Sequence, residues 1–73
     1  MRYRVKYDIH TSRWDAFGKY LDVQASSPEH ASALVERAIY ADKDAILAAR
    51  HDDAGEGFVV TILSAYRAAQ EQA

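Results

Sequence analysis

The chain has 73 residues, a net charge of −2 and no cysteine. A domain of this length buries only about 60% of the surface of its unfolded chain, so its hydrophobic core is thin. The absence of cysteine excludes disulfides and thiolate metal sites, which leaves close packing or association with another subunit to add stability. We expect residues 1–73 to form a single domain.

The start of the chain alternates polar and apolar side chains and contains no apolar run long enough for a signal peptide or a membrane span. This pattern predicts a cytoplasmic protein without membrane contact. Basic residues concentrate here: residues 1–19 carry a net charge of +3 and residues 20–73 a net charge of −5. Uneven charge of this kind is usually a property of solvated surfaces.

Two strands are predicted before the first helix. The first has a period of two, and its inward-facing residues are Tyr3, Val5, Tyr7 and Ile9. Residues 11–16 read as a polar connection, and a second alternation begins at Gly18. The inward-facing residues of this second strand are Leu21, Val23 and Ala25. The two segments predict a hairpin with a long loop.

A helix start is predicted at Ser27, Pro28 and Glu29, because these residues suit the N-cap, the first helical position and the positive end of the helix dipole. An apolar stripe at helical spacing follows: Ala31, Leu34, Val35, Ala38 and Ile39. Charged residues interrupt the stripe at positions 41–44, after which an apolar face resumes with Ala45, Ile46 and Ala49. We favour two helices, and one long helix over residues 28–51 is the alternative.

Turn residues occupy positions 52–57, and a β-branched run over positions 58–63 predicts a third strand. In this strand Phe58, Val60 and Ile62 face the core, and residues 66–73 are predicted to form a short helical turn. The fold class is therefore α+β. A right-handed crossover gives a three-stranded, mainly antiparallel sheet of order 2-1-3, with one or two helices packed on one face.

No catalytic or metal site emerges from the sequence. The three histidines, His10, His30 and His51, lack the spacing of a zinc-binding helix. No serine or threonine is marked as a nucleophile by a neighbouring base, and the glycines at positions 55 and 57 precede a strand rather than a helix. We therefore expect a protein that is not an enzyme and that carries no cofactor or metal.

The face of the sheet left open by the helices is the first candidate contact surface. It is predicted to place basic groups beside exposed apolar and aromatic groups, and its members are Arg2, Arg4, Lys6, Tyr20, Asp22, Gln24, Val59, Thr61 and Leu63. Trp14, in the hairpin connection, either folds back as a lid on the core or projects as a contact anchor.

A second candidate contact surface is acidic. Its members are Asp42, Asp44, Asp52, Asp53 and Glu56. Such a cluster is suited to compete for a nucleic-acid-binding groove by electrostatic complementarity, and it is equally consistent with solvation of loops.

Residues 23–31 have the pattern V-x-A-x-S-x-E-x-A, which resembles a strand-to-helix junction in small proteins of phages and mobile elements. In size, mild acidity and strand-strand-helix-strand order the chain is similar to phage-encoded anti-CRISPR proteins. The resemblance implies a stoichiometric inhibitor that binds a bacterial CRISPR effector complex in the host cytosol. Two alternatives stay open, namely a small nucleic-acid-binding domain that uses the open sheet face, and a self-associating module such as a homodimer.

Overall fold

The computed structural model describes residues 1–51 and 57–68. The elements in chain order are β1 (Arg2–Thr11), β2 (Asp15–Gln24), α1 (Pro28–Ala41), α2 (Lys43–Ala49) and β3 (Phe58–Arg67). Both strand pairs are antiparallel and the sheet order is β2-β1-β3. The predicted α+β class and sheet order are confirmed, and the helical region contains two helices.

The β1–β2 hairpin is tighter than the sequence suggests. β1 extends to Thr11 and β2 begins at Asp15, so the connection is residues 12–14 rather than 11–16. The hydroxyl of Thr11 accepts hydrogen bonds from the N–H groups of Arg13 and Trp14, at 3.2 and 2.9 Å, and donates one to the carbonyl of Trp14 at 2.8 Å. The Thr11 side chain therefore closes the turn. Because of these hydrogen bonds, the hairpin has a short connection although its turn contains no glycine.

A bulge in β2 depends on Gly18, whose φ of 65° lies in the left-handed region. Its N–H donates to Oδ1 of Asp8 on the neighbouring strand at 2.8 Å. Glycine adopts this conformation without the steric cost that a Cβ brings. The bulge lies where the β1–β2 register shifts, between Tyr7 and Ile9.

Helix α1 begins as predicted. Ser27 is its N-cap, and the serine Oγ accepts a hydrogen bond from the N–H of His30 at 3.0 Å. Three residues of the predicted stripe, Ala31, Val35 and Ile39, are buried against the sheet. Leu34 is half-buried and Ala38 is exposed, so the buried stripe is narrower than the sequence pattern indicates.

The break between the helices lies at Asp42, whose N–H is shared between the carbonyls of Ala38 and Ile39. Asp42 is also the N-cap of α2, but its side chain makes no capping hydrogen bond. The predicted apolar face of α2 is wrong in one respect. Its fully buried residue is Leu47, which the sequence analysis did not select, while Ala45 and Ala49 are exposed and Ile46 is half-buried.

Strand β3 is longer than expected because Tyr66 and Arg67 pair with Arg4 and Tyr3 of β1. The helical turn predicted for residues 66–73 is therefore wrong for its first two positions. Residues 69–73 lie outside the described part of the chain. A second register shift, between Lys6 and Tyr7 of β1, lets β3 continue past Leu63 in the sheet.

The core lies between the sheet and the helices. Its buried members are Tyr3, Val5, Tyr7, Ile9, Ala25, Ala31, Val35, Ile39, Leu47, Phe58 and Val60. The inward positions predicted for β1 and for Phe58 and Val60 are confirmed. Both helices thus lie on one side of the sheet.

Candidate functional site

We call the side of the sheet that faces away from the helices the open face. The side chains here alternate with the buried residues of each strand. Those of β1 are Arg2, Arg4, Lys6, Asp8 and His10; those of β2 are Asp15, Phe17, Tyr20, Asp22 and Gln24; those of β3 are Val59, Thr61, Leu63, Ser64 and Tyr66.

Large apolar side chains are concentrated on the open face. The described residues include seven exposed large hydrophobic side chains, and five of them lie here: Phe17, Tyr20, Val59, Leu63 and Tyr66. Their exposed fractions run from 46% for Tyr66 to 68% for Phe17. An apolar and aromatic surface of this kind, on a sheet that no helix of the described residues covers, is typical of an interaction surface.

One end of the open face is organised by Asp22. Its Oδ1 accepts a hydrogen bond from Nε of Arg4 at 2.9 Å, and its Oδ2 accepts bonds from Nη2 of Arg2 and of Arg4, at 2.8 and 3.1 Å. The hydrogen bonds from Arg4 and Arg2 lower the pKa of Asp22 to about 2, and the bond to Asp22 raises the pKa of Arg4. The carboxylate therefore stays charged in all ordinary conditions and fixes both guanidinium groups against the sheet.

The same end contains a shallow depression of about 610 Å³. Arg4 of the central strand β1 lines this depression, and it pairs with Asp22 in β2 and with Tyr66 in β3. Tyr20 also lines it, and the ammonium group of Lys6 lies 5.9 Å from the centre of the Tyr20 ring. Two tyrosine rings therefore flank a fixed guanidinium group, which is the pairing of residue types that dominates protein-interface hot spots.

The other end of the open face is arranged around His10. Its Nδ1 lies 3.0 Å from Oδ1 of Asp15, and its ring meets that of Phe17 edge to face with centroids 5.7 Å apart. The carboxylate of Asp8 adds a second negative charge next to this pair. Acidic groups thus gather at this end, while cations gather around Asp22.

The described open face has no net charge when histidine is neutral. Its three cations, Arg2, Arg4 and Lys6, are balanced by the carboxylates of Asp8, Asp15 and Asp22. Two of those cations already bond one carboxylate. Binding to phosphates depends on cations that can release counterions, so this balance does not favour a nucleic acid as the ligand.

Comparisons of the chain with protein-family models, with curated proteins and with solved structures found no match.

The structure brings four of the predicted contact residues together: Arg2, Arg4, Lys6 and Tyr20 lie side by side on the open face. Trp14 lies elsewhere. It is half-buried, packs against the core and is covered by the guanidinium of Arg50, whose central carbon is 4.3 Å from the centre of the indole ring. Its position is that of the core lid, one of the two roles that the sequence left open.

The two described members of the predicted acidic surface do not lie on the open face. Asp42 and Asp44 are exposed at the junction of the two helices, in the other layer of the domain. Asp52, Asp53 and Glu56 lie outside the described residues. Within residues 1–51 and 57–68, no cluster of three or more histidine, aspartate or glutamate side chains is arranged to hold a metal ion. No helix in these ranges is long and apolar enough to cross a membrane.

Sequence reasoning missed two aromatic residues of the open face. Phe17 fell between the predicted connection and the predicted second strand, and Tyr66 was assigned to a helical turn. The signal for Tyr66 was present in the apolar and aromatic residues that continue beyond Leu63, but the bulge in β3 interrupts their period of two. For Phe17 the left-handed Gly18 has the same effect on β2.

Proposed function

We propose that the chain is a non-enzymatic binding domain whose open face docks a protein partner. The observation that carries this proposal is the concentration of exposed aromatic and apolar side chains on the open face, next to the fixed guanidinium of Arg4. Tyrosine and arginine give large contact area and directed hydrogen bonds. They are enriched where truncation of one side chain weakens binding most.

The complementary partner surface follows from the charges of the open face. Around Asp22 three cations face one carboxylate, so this end suits acidic groups of a partner. Tyr66, Leu63 and Tyr20 next to it suit an apolar surface that excludes water. The partner is therefore a folded protein with an apolar patch bordered by carboxylates.

A bacterial CRISPR effector complex is the specific partner that we propose. It rests on the resemblance of residues 23–31 to a strand-to-helix junction of small phage proteins, and on the size, mild acidity and strand-strand-helix-strand order that the chain has in common with anti-CRISPR proteins. An inhibitor of this kind would act by stoichiometric occlusion, which needs a contact surface and no catalytic group. The open face supplies such a surface.

The test measures binding of the tagged chain to purified bacterial CRISPR effector complexes, without nucleic acid, and compares two charge reversals. Lys6→Glu changes the centre of the open face, while Arg37→Glu makes the same change on the exposed side of α1. We expect Lys6→Glu, and separately Tyr66→Ala, to weaken binding by roughly 30-fold, the effect of losing a hot spot worth about 2 kcal/mol. Arg37→Glu should leave the affinity unchanged.

Four other outcomes overturn parts of the proposal. Equal binding by the Lys6→Glu and Arg37→Glu variants would remove the open face from the contact. Absence of binding to every effector complex would make the target wrong. If sedimentation shows a dimer that the Lys6→Glu substitution dissociates, the partner is a second copy of the chain. Tight binding to a single-stranded oligonucleotide, with steep salt dependence, would favour the nucleic-acid alternative.

A further inference from the structure

A second candidate site lies on the other side of the sheet. A cavity of about 310 Å³ opens between α2 and the β1–β2 hairpin. Its walls are mainly apolar and are formed by Tyr7, Ile9, Trp14 and Ile46. Ala16 and Ala49 also line it, and two exposed cationic side chains, Lys19 and Arg50, complete the lining.

The cavity exists because α2 covers the sheet incompletely. Helix α1 buries three residues, whereas α2 buries one, Leu47. Ile46, next to it, is half-buried, and Trp14 fills part of the space from the hairpin side. An apolar wall therefore remains accessible at one edge of the core.

The cations of this cavity are placed differently from those of the open face. The guanidinium of Arg50 is stacked on Trp14, with its central carbon 4.3 Å from the ring centre, which holds it over the cavity. Among the described residues no carboxylate forms an ion pair with Lys19 or Arg50. Both side chains line the cavity and are exposed, so a ligand that enters from solvent meets them.

We propose that this cavity binds a small amphipathic carboxylate, with its alkyl or aromatic tail against Ile9, Ile46 and Trp14. The carboxylate would accept hydrogen bonds from the ammonium of Lys19 and the guanidinium of Arg50. The volume lies at the lower end of the range for small-molecule sites, which limits the ligand to about ten non-hydrogen atoms. An apolar cavity with a few convergent polar groups is the usual form of such a site.

Octanoate is a suitable probe, because it combines a carboxylate with a tail of the required size. Trp14 is the chain's one tryptophan, so its fluorescence reports directly on the cavity. We expect octanoate to change the emission in a saturable way, with a dissociation constant on the order of 1 mM. Octylamine has the same tail and the opposite charge, and it should not bind.

Three glutamine variants test the role of the cations. Lys19→Gln and Arg50→Gln should each weaken octanoate binding by about tenfold, as expected for loss of a hydrogen bond to a charged group. Arg37→Gln on the exposed side of α1 is the matched control and should bind normally. Because Arg50→Gln alters the surroundings of Trp14, amide NMR shifts of Ile46 and Ala49 give a second measure of binding.

The proposal is wrong if octylamine binds as well as octanoate, or if neither Lys19→Gln nor Arg50→Gln weakens binding. It is also wrong if octanoate shifts the resonances of the open face and leaves those of Ile46 unchanged. The site does not depend on the proposed protein partner, since its lining residues lie on the opposite side of the sheet. Failure of one proposal is therefore distinguishable from failure of the other.

Discussion

The backbone N–H of Val60 donates a hydrogen bond to the hydroxyl of Tyr40 at 3.0 Å. Val60 belongs to β3, an edge strand, and Tyr40 lies in the last turn of α1. The Tyr40 ring also meets that of Phe58 edge to face, with centroids 5.9 Å apart. One side chain therefore fixes the helix to the sheet and satisfies a donor at the sheet edge, where unpaired groups invite pairing with another chain.

Replacement of Tyr40 by phenylalanine removes this hydrogen bond and keeps the ring. We expect the free energy of unfolding to fall by about 1 kcal/mol, measured by urea denaturation. Tyr20→Phe is the matched control, since Tyr20 is 53% exposed on the open face. Equal losses in the two variants would contradict the role of the Tyr40 hydroxyl.

Leu47 is the residue through which α2 is anchored in the core. It is fully buried, and the Leu47→Ala substitution should lower the free energy of unfolding by about 3 kcal/mol through lost burial and a residual cavity. Leu63→Ala on the open face should change it by less than about 0.5 kcal/mol. Thermal unfolding by circular dichroism measures both, and a small effect at Leu47 would mean that α2 is not packed as described.

We expect Trp14 to contribute to the stability of the fold rather than to partner binding. Trp14→Ala should cost roughly 2 kcal/mol, since the indole ring is half-buried against the core and stacked by Arg50. Phe17→Ala removes a ring that is 68% exposed and should have little effect on unfolding. If Trp14→Ala abolished effector binding at an unchanged thermal midpoint, Trp14 would be the contact anchor after all.

Substitution of Gly18 measures the backbone strain that a residue with a Cβ has in the left-handed conformation of this position. A Cβ at this position meets Cε of Lys6 at 3.7 Å, an ordinary contact, so steric crowding by neighbours is not the problem. The strain comes from the φ of 65°, which a residue with a Cβ adopts only at a cost. Gly18→Ala should therefore destabilise the fold by about 1 kcal/mol. A Cβ at Gly57 meets open space, so Gly57→Ala should leave the free energy of unfolding nearly unchanged. Urea denaturation of the two variants measures the difference.

Asp22 should give the fold a specific dependence on acid. Hydrogen bonds from Arg4 and Arg2 hold its pKa at about 2, below the ordinary value of 3.8. A carboxylate with a lowered pKa stabilises the folded state above the unfolded pKa, and the contribution is lost as the pH falls through the folded value. The stability advantage of the natural chain over Asp22→Asn should therefore shrink as the pH falls from 3.8 toward 2.

Urea denaturation at a series of pH values measures that difference. Glu36→Gln, on the exposed surface of α1, is the control and should show no comparable change over the same interval. A difference between the natural chain and Asp22→Asn that stays constant with pH would show that the Arg2–Asp22–Arg4 contacts do not persist in solution.

Local sequence patterns were enough to predict most of the secondary structure. The alternation in β1 and the capping residues at Ser27 act over a few positions, so they are visible without the fold. The errors arise where the local period changes. The Thr11 side chain shortens the connection of the hairpin. The bulges at Gly18 and Leu63 interrupt the period of two, which is why the sequence pattern did not predict that Phe17 and Tyr66 lie on the open face.

The candidate sites were less accessible to prediction. Arg2, Arg4, Lys6 and Tyr20 were placed on one face correctly, because alternation determines which side of a strand a residue occupies. That Asp22 bonds both arginines could not be predicted, since it depends on the register of β1 against β2. The cavity beside Trp14 likewise depends on how closely a short helix approaches the sheet.

The sequence by itself determined the strands, the start of α1 and, through the right-handed crossover, the sheet order, because these follow from backbone sterics and short-range periodicity. Only the tertiary structure decided that Leu47 rather than Ala45 enters the core, that Trp14 lies under Arg50 on the helix side, and that Phe17 and Tyr66 join the open face. Each of these depends on contacts between residues far apart in the chain, whose geometry no local pattern contains.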